Sequence, residues 1–70
     1  MESGLFMLWV SDNYLWWIIQ VDDGKYAVEN LRNGAAQRPI WGADGLLWDN
    51  SFAVPKYVRD AAERVIPRSA

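Results

Sequence analysis

Apolar residues in the first part of the chain fall into four short runs, each closed by a turn signal. The runs are Leu5 to Val10, Tyr14 to Val21, Lys25 to Arg32 and Ala35 to Trp41. The signals are Ser11-Asp12-Asn13, Asp23-Gly24, Asn33-Gly34 and, further on, Asp44-Gly45. Segments rich in aromatic and β-branched residues between such signals predict an antiparallel meander. Asp-Gly and Asn-Gly favour two-residue hairpin loops, because type I′ turns need positive φ at both central positions. An Asn33-Gly34 loop of that length sets Arg32 against Ala35. It also sets Glu29 against Arg38, an opposite-charge pair worth about 0.2–1 kcal/mol. Pro39 has no N–H for a ladder, so the fourth run reads as an edge strand.

The Asp22-Asp23-Gly24-Lys25 turn admits two registers. A two-residue loop pairs Val21 with Tyr26 and Ile19 with Val28. A three-residue loop with a glycine bulge shifts the pairing by one and sets Val28 beside Ile18. The first is preferred, because it gathers Trp17, Ile19, Val21, Tyr26 and Val28 on one face. A slip of one residue would exchange the two faces of the strand.

From Val54 to Ile66 the period changes. Val54, Tyr57, Val58, Ala61, Ala62, Val65 and Ile66 recur at i, i+3, i+4, i+7 and i+8, which predicts an amphipathic helix. Pro55 suits its first position and Pro67 stops it. Lys56–Asp60, Arg59–Glu63 and Asp60–Arg64 are i,i+4 pairs on the outer face. Between sheet and helix, residues 41–51 read as a Trp/Gly loop, with Leu46 to Trp48 as a possible short strand. The expected fold is α+β, one domain over residues 1–70. An antiparallel meander of three to four strands carries one C-terminal amphipathic helix packed on one face.

Composition then excludes most chemistry. The 70 residues contain neither cysteine nor histidine. No disulfide, thiolate metal site or Ser-His or Cys-His nucleophile can form. Five scattered glycines make no phosphate-cradling loop. Asp22-Asp23 is the one adjacent carboxylate pair, and it reads as turn chemistry. A non-enzymatic protein with no cofactor and no metal is expected. The longest apolar run, Leu15 to Ile19, is far too short to span a bilayer. Met1-Glu2-Ser3-Gly4 lacks the positive start of a signal peptide, which fits a cytoplasmic protein. The net charge of −2 is unevenly placed, with residues 1–29 at −4 and residues 30–70 at +2. That polarity can orient a partner, but it lacks the strongly basic face that nucleic acid requires.

Two features point to binding. Aromatics make up 14% of the chain, five of them tryptophans. The run Tyr14 to Ile19 is apolar on both faces, whereas one helix covers only one face of a small sheet. The preferred register leaves Tyr14, Trp16 and Ile18 uncovered, flanked by Arg32 and Arg38 on neighbouring strands. Tryptophan, tyrosine and arginine are enriched at binding hot spots. Those five residues, with Trp41 and Trp48 beside the glycine turn, are the candidate contact residues. The resulting expectation is a module that inhibits or adapts a larger protein, alone or as a homodimer with a second copy. Two alternatives stand beside it. One is a virus-encoded inhibitor of a bacterial host or defence complex, suggested by size and composition alone. The other is binding of single-stranded nucleic acid by stacking on the aromatics.

Overall fold

The computed structural model describes residues 5–49 and 54–68. The end of the predicted loop, at positions 50–51, lies outside them. Strands β1 (Phe6–Val10), β2 (Trp16–Asp22), β3 (Lys25–Asn30) and β4 (Ala36–Gln37) form an antiparallel sheet in the order β1-β2-β3-β4. Strands β5 (Ile40–Gly42) and β6 (Gly45–Leu47) form a separate hairpin, and helix α1 (Lys56–Val65) follows. The architecture is the α+β arrangement expected from the sequence. The ends of β1, β2, β3 and the helix differ from expectation by one or two residues, and two segments differ in kind. The fourth run is broken at Arg38-Pro39 into β4 and β5, because proline ends the ladder. The described part of the Trp/Gly segment is a hairpin, in which β6 stands within one residue of the short strand expected at Leu46 to Trp48.

The β2–β3 hairpin follows the register that the sequence analysis set aside. Asp22 still faces Lys25 across Asp23-Gly24, and Gly24 takes φ +70°. The pairing then shifts at Val21, so that Gln20 faces Tyr26 and Ile18 faces Val28. Inside the bulge, the Gln20 side chain donates to the Asp22 carbonyl at 3.2 Å. An extra residue on one strand turns its onward side chains to the other face. Tyr26 and Val28 face the helix as expected, but they are joined there by Trp16 and Ile18, not by Trp17 and Ile19. Strand β1 carries a second bulge, at Leu8.

The β3–β4 connection is also longer than expected. Asn30 N–H donates to the Ala35 carbonyl at 2.8 Å, enclosing a four-residue turn. The Asn30 side-chain oxygen accepts from the backbone of Arg32 and Asn33, and the Asn33 side chain accepts from Ala35. These local bonds outcompete the tighter turn. Glu29 therefore faces Ala36, and the expected Glu29–Arg38 pair is not formed. Glu29 instead accepts the Trp17 indole N–H from the adjacent strand at 2.7 Å.

The core lies between the sheet and the helix. Trp16, Ile18, Val28, Leu46, Val54, Val58, Ala61, Ala62 and Ile66 form one buried cluster. Ile19 and Ala27, also buried, stand outside it, as their position on the opposite sheet face requires. Ser11 anchors the turn into β2. Its buried hydroxyl accepts from the Leu15 and Trp16 amides at 3.2 and 3.1 Å and donates to the Asn13 side chain at 2.6 Å.

Helix α1 begins at Lys56, two residues later than the predicted Val54, with Pro55 at the cap. It ends at Ile66, whose extended backbone is what a following proline imposes. Of the three expected i,i+4 pairs, Lys56–Asp60 forms, at 3.0 Å. Glu63 turns away from Arg59 to accept the Leu46 amide at 3.3 Å, tying β6 to the helix. Gly45 makes that approach possible. At φ +131°, a side chain there would place its Cβ 2.8 Å from a Glu63 carboxylate oxygen.

Candidate binding groove

The seven contact residues proposed from the sequence do not form one surface. Trp16, at 6% exposure, and Ile18 belong to the core beneath α1, which removes them from any contact face. The bulge at Val21 is the physical reason. Tyr14 and Arg32 are exposed at one end of the sheet, where Leu31 N–H donates to the Leu15 carbonyl. Tyr14 holds φ +58° with its ring 72% exposed. Trp48 is half-buried against the core.

Arg38 and Trp41 are brought together at the other end of the sheet. Two abutting hollows of about 290 and 260 Å³ share Gly24, Tyr26, Pro39 and Ile40 as walls. The first adds Lys25 and Arg38, the second Trp41, Ile66 and Pro67. Each wall has a local cause. The Asp23-Gly24 turn delivers Lys25 and Tyr26 at the start of β3. Pro39 ends β4 and leaves Ile40 projecting into solvent at 65% exposure. Pro67 ends α1 and presents the helix terminus.

Trp41 is held in place from two sides. Its indole N–H donates to the Pro67 carbonyl at 3.0 Å. The Arg68 guanidinium lies 4.2 Å from the ring centroid and also donates to the Gly42 carbonyl at 3.3 Å. A cation stacked on an aromatic ring is an attractive contact, and here it fixes the groove wall and fills one ring face.

The groove is largely apolar around Tyr26, Pro39 and Ile40, mixed in polarity towards Trp41, and cationic at its rim. Lys25 and Arg38 are exposed, and among the described residues neither makes an ion pair. Asp22 and Asp23, on the same turn as Lys25, are the nearest acids in sequence. The Asp22 carboxylate accepts from the Asp23 amide at 2.8 Å and keeps its charge beside its cross-strand partner Lys25, so the cationic character of the rim rests chiefly on Arg38.

Two other surfaces bear on function. A hollow of about 430 Å³ opens between Trp9, Asp12, Asn13, Tyr57, Asp60 and Arg64. Trp9 and Tyr57 meet edge to face there, with centroids 6.5 Å apart. Its acids and bases balance, with Lys56 already on Asp60, so its charge selects no ligand. Along β1, Leu5, Phe6 and Met7 are 64%, 62% and 54% exposed. The sequence analysis missed the roles of Tyr26, Ile40 and Pro67. The available signals were Pro39 and Pro67, each of which ends an element, and Pro39 has exposed Arg38 and Ile40 on either side.

Among the described residues no helix is long and apolar enough to cross a membrane. Comparison with protein-family models, curated proteins and solved structures gives no match.

Proposed function

We propose that the protein is a non-enzymatic binding module that holds a short acidic, apolar segment of a partner protein in the Tyr26–Ile40–Trp41 groove. The observation that carries this reading is the largely apolar hollow at Tyr26, Pro39 and Ile40, with two cations at its rim, Lys25 and Arg38, that form no ion pair among the described residues. Apolar side chains of the segment enter between Tyr26, Pro39 and Ile40. Carboxylates reach the rim, where Arg38 offers the paired donors that match a carboxylate. Tyrosine, tryptophan and arginine around one depression are the residue types that dominate binding energy at interfaces. Occupying such a segment either blocks its normal contact or bridges it to another surface, which are the inhibitor and adaptor roles.

Stacking of single-stranded bases is the less favoured reading. Arg68 already fills one face of Trp41, and the remaining cations are few for a strand-tracking groove.

The test is selection of random short peptides displayed against the full chain. Selected peptides are then titrated by fluorescence anisotropy. Enrichment of Asp or Glu beside Leu, Ile, Val or Phe is expected. Arg38→Glu should weaken the selected peptides at least about tenfold, which is about 1.4 kcal/mol. Selection without acidic enrichment, or binding indifferent to Arg38→Glu, overturns the reading. A parallel titration with oligothymidine separates the alternative. Arg38-dependent binding there, with a steep salt slope and no peptide binding, transfers the site to nucleic acid.

A further inference from the structure

The Trp41 end of the groove is walled by a segment held in two different ways. Ile66 is buried in the core, and its N–H donates to the Ala62 carbonyl at 2.9 Å. Pro67 and Arg68, which follow it, are exposed. They are tied down through β5. The Trp41 indole N–H donates to the Pro67 carbonyl at 3.0 Å, and the Arg68 guanidinium donates to the Gly42 carbonyl at 3.3 Å while lying over the Trp41 ring. Both hydrogen bonds lie at the solvent-exposed surface.

Magnitudes place this attachment near balance. An exposed cation–ring contact shifts an equilibrium by about two- to fivefold, and one hydrogen bond by about two- to twelvefold net. Fixing the backbone of one residue opposes them by about five- to thirtyfold, and by less at Pro67, whose ring already sets φ. Three exposed contacts order two residues, so the two sides nearly cancel. Ile66 cannot lift without baring core surface. The hinge is therefore the junction of Ile66 and Pro67.

Resting on the groove reading, we propose that Pro67–Arg68 is a strap whose docking on Trp41 completes the groove and sets its affinity. Docked, the strap supplies the Pro67 wall of the second hollow and fixes the Trp41 ring beside it. Lifted, it removes that wall and releases the indole, while Tyr26, Pro39 and Ile40 keep their places. A partner segment seated against both Trp41 and Pro67 makes more contact with the docked state, so it binds that state better and draws the strap down. The coupling is reciprocal. Apparent affinity falls in proportion to the fraction of chains with the strap docked. Arg68 is a positioning residue in this scheme. It is not among the walls of either hollow, and it acts through the ring it stacks on.

Nuclear magnetic resonance of the full chain reads the strap with no ligand present. The Trp41 indole N–H, assigned by its loss in Trp41→Phe, should exchange with solvent at least about threefold faster in Arg68→Ala than in the parent chain. Arg68→Lys, which keeps a cation for the ring, should recover part of the difference. The backbone amides of β2 and β3 should not move. Peptides selected on the parent chain should slow the indole exchange. Arg68→Ala should weaken those peptides by about three- to tenfold, and Arg68→Lys by less. Indole exchange indifferent to Arg68→Ala overturns the strap. Peptides that weaken with Arg38→Glu but ignore Arg68→Ala overturn the coupling and leave the groove reading in place. A chain that selects no peptide overturns the groove reading and, with it, the coupling.

Discussion

Replacing Trp16 by alanine tests the register on which the whole arrangement depends. The bulge at Val21 makes Trp16 core and leaves Trp17 half-buried on the other sheet face. Deleting a buried tryptophan side chain costs about 3–5 kcal/mol, through lost transfer energy and the cavity left behind. A chain of this length holds about 4–10 kcal/mol in total. Trp16→Ala should therefore lower the melting temperature by about 12–40 °C, at about 4–8 °C per kcal/mol. Trp17→Phe is the matched control. It keeps an aromatic ring and loses the 2.7 Å bond to the Glu29 carboxylate, a loss of about 1.5–3 kcal/mol. Urea unfolding followed by far-ultraviolet circular dichroism measures both, and an unchanged m-value shows that the comparison is of stability alone. Trp16→Leu, which fills part of the cavity, keeps the experiment in range if the alanine variant is too unstable. The reasoning is refuted if the Trp16 substitutions cost less than Trp17→Phe, because Trp17 would then be the ring beneath the helix.

Two further outcomes follow from backbone geometry. Tyr14 sits at φ +58° with an exposed ring, and asparagine tolerates that region better. Tyr14→Asn should raise stability by about 0.5–1 kcal/mol in thermal melts, and a loss instead would mean that the ring makes a stabilising contact. Gly45→Ala should cost about 1–3 kcal/mol, from its φ of +131° and the 2.8 Å approach to Glu63. Adding Glu63→Ala should recover part of that cost. Full additivity in the double-mutant cycle would remove Glu63 from the explanation.

The elements were legible because each leaves a periodic or punctuating trace. Val54 to Ile66 repeats at helical spacing, Asp23-Gly24 marks a turn, and Pro39 marks the end of a ladder. The face of β2 was not legible, and the reason is local. Both sides of Trp16-Trp17-Ile18-Ile19 are apolar, so the pattern carries no information about which side is core. The decision passes to single extra residues, Val21 and Leu8, that interrupt otherwise regular pairing. Nothing in the composition of either strand distinguishes a bulged residue from its neighbours. The turn after β3 was misjudged for a related reason. Asn33-Gly34 favours a tight hairpin, but Asn30 supplies a side-chain acceptor for two amides of a longer one. Two asparagines competed, and the one outside the turn dipeptide set the loop length.

The groove was hidden because its walls and their support come from three separate segments, at Gly24–Tyr26, Arg38–Trp41 and Ile66–Arg68, which no spacing connects. Arg38 and Trp41 drew attention from sequence, but for a surface they do not share with Trp16. What joins them is the interruption at Pro39. The longer β3–β4 turn places Ala36 and Gln37, rather than Arg38, against β3. Pro39 then ends the strand after two paired residues. Those same two residues of chain make β4 a poor pairing edge, free Arg38 from a cross-strand acid and turn Ile40 outward. A two-residue turn at Asn33-Gly34 would have set Arg38 against Glu29, the acid that now accepts the Trp17 indole N–H. The open groove thus follows from two events in the chain, the longer turn set by Asn30, which keeps Arg38 off Glu29, and the stop at Pro39, which turns Ile40 outward.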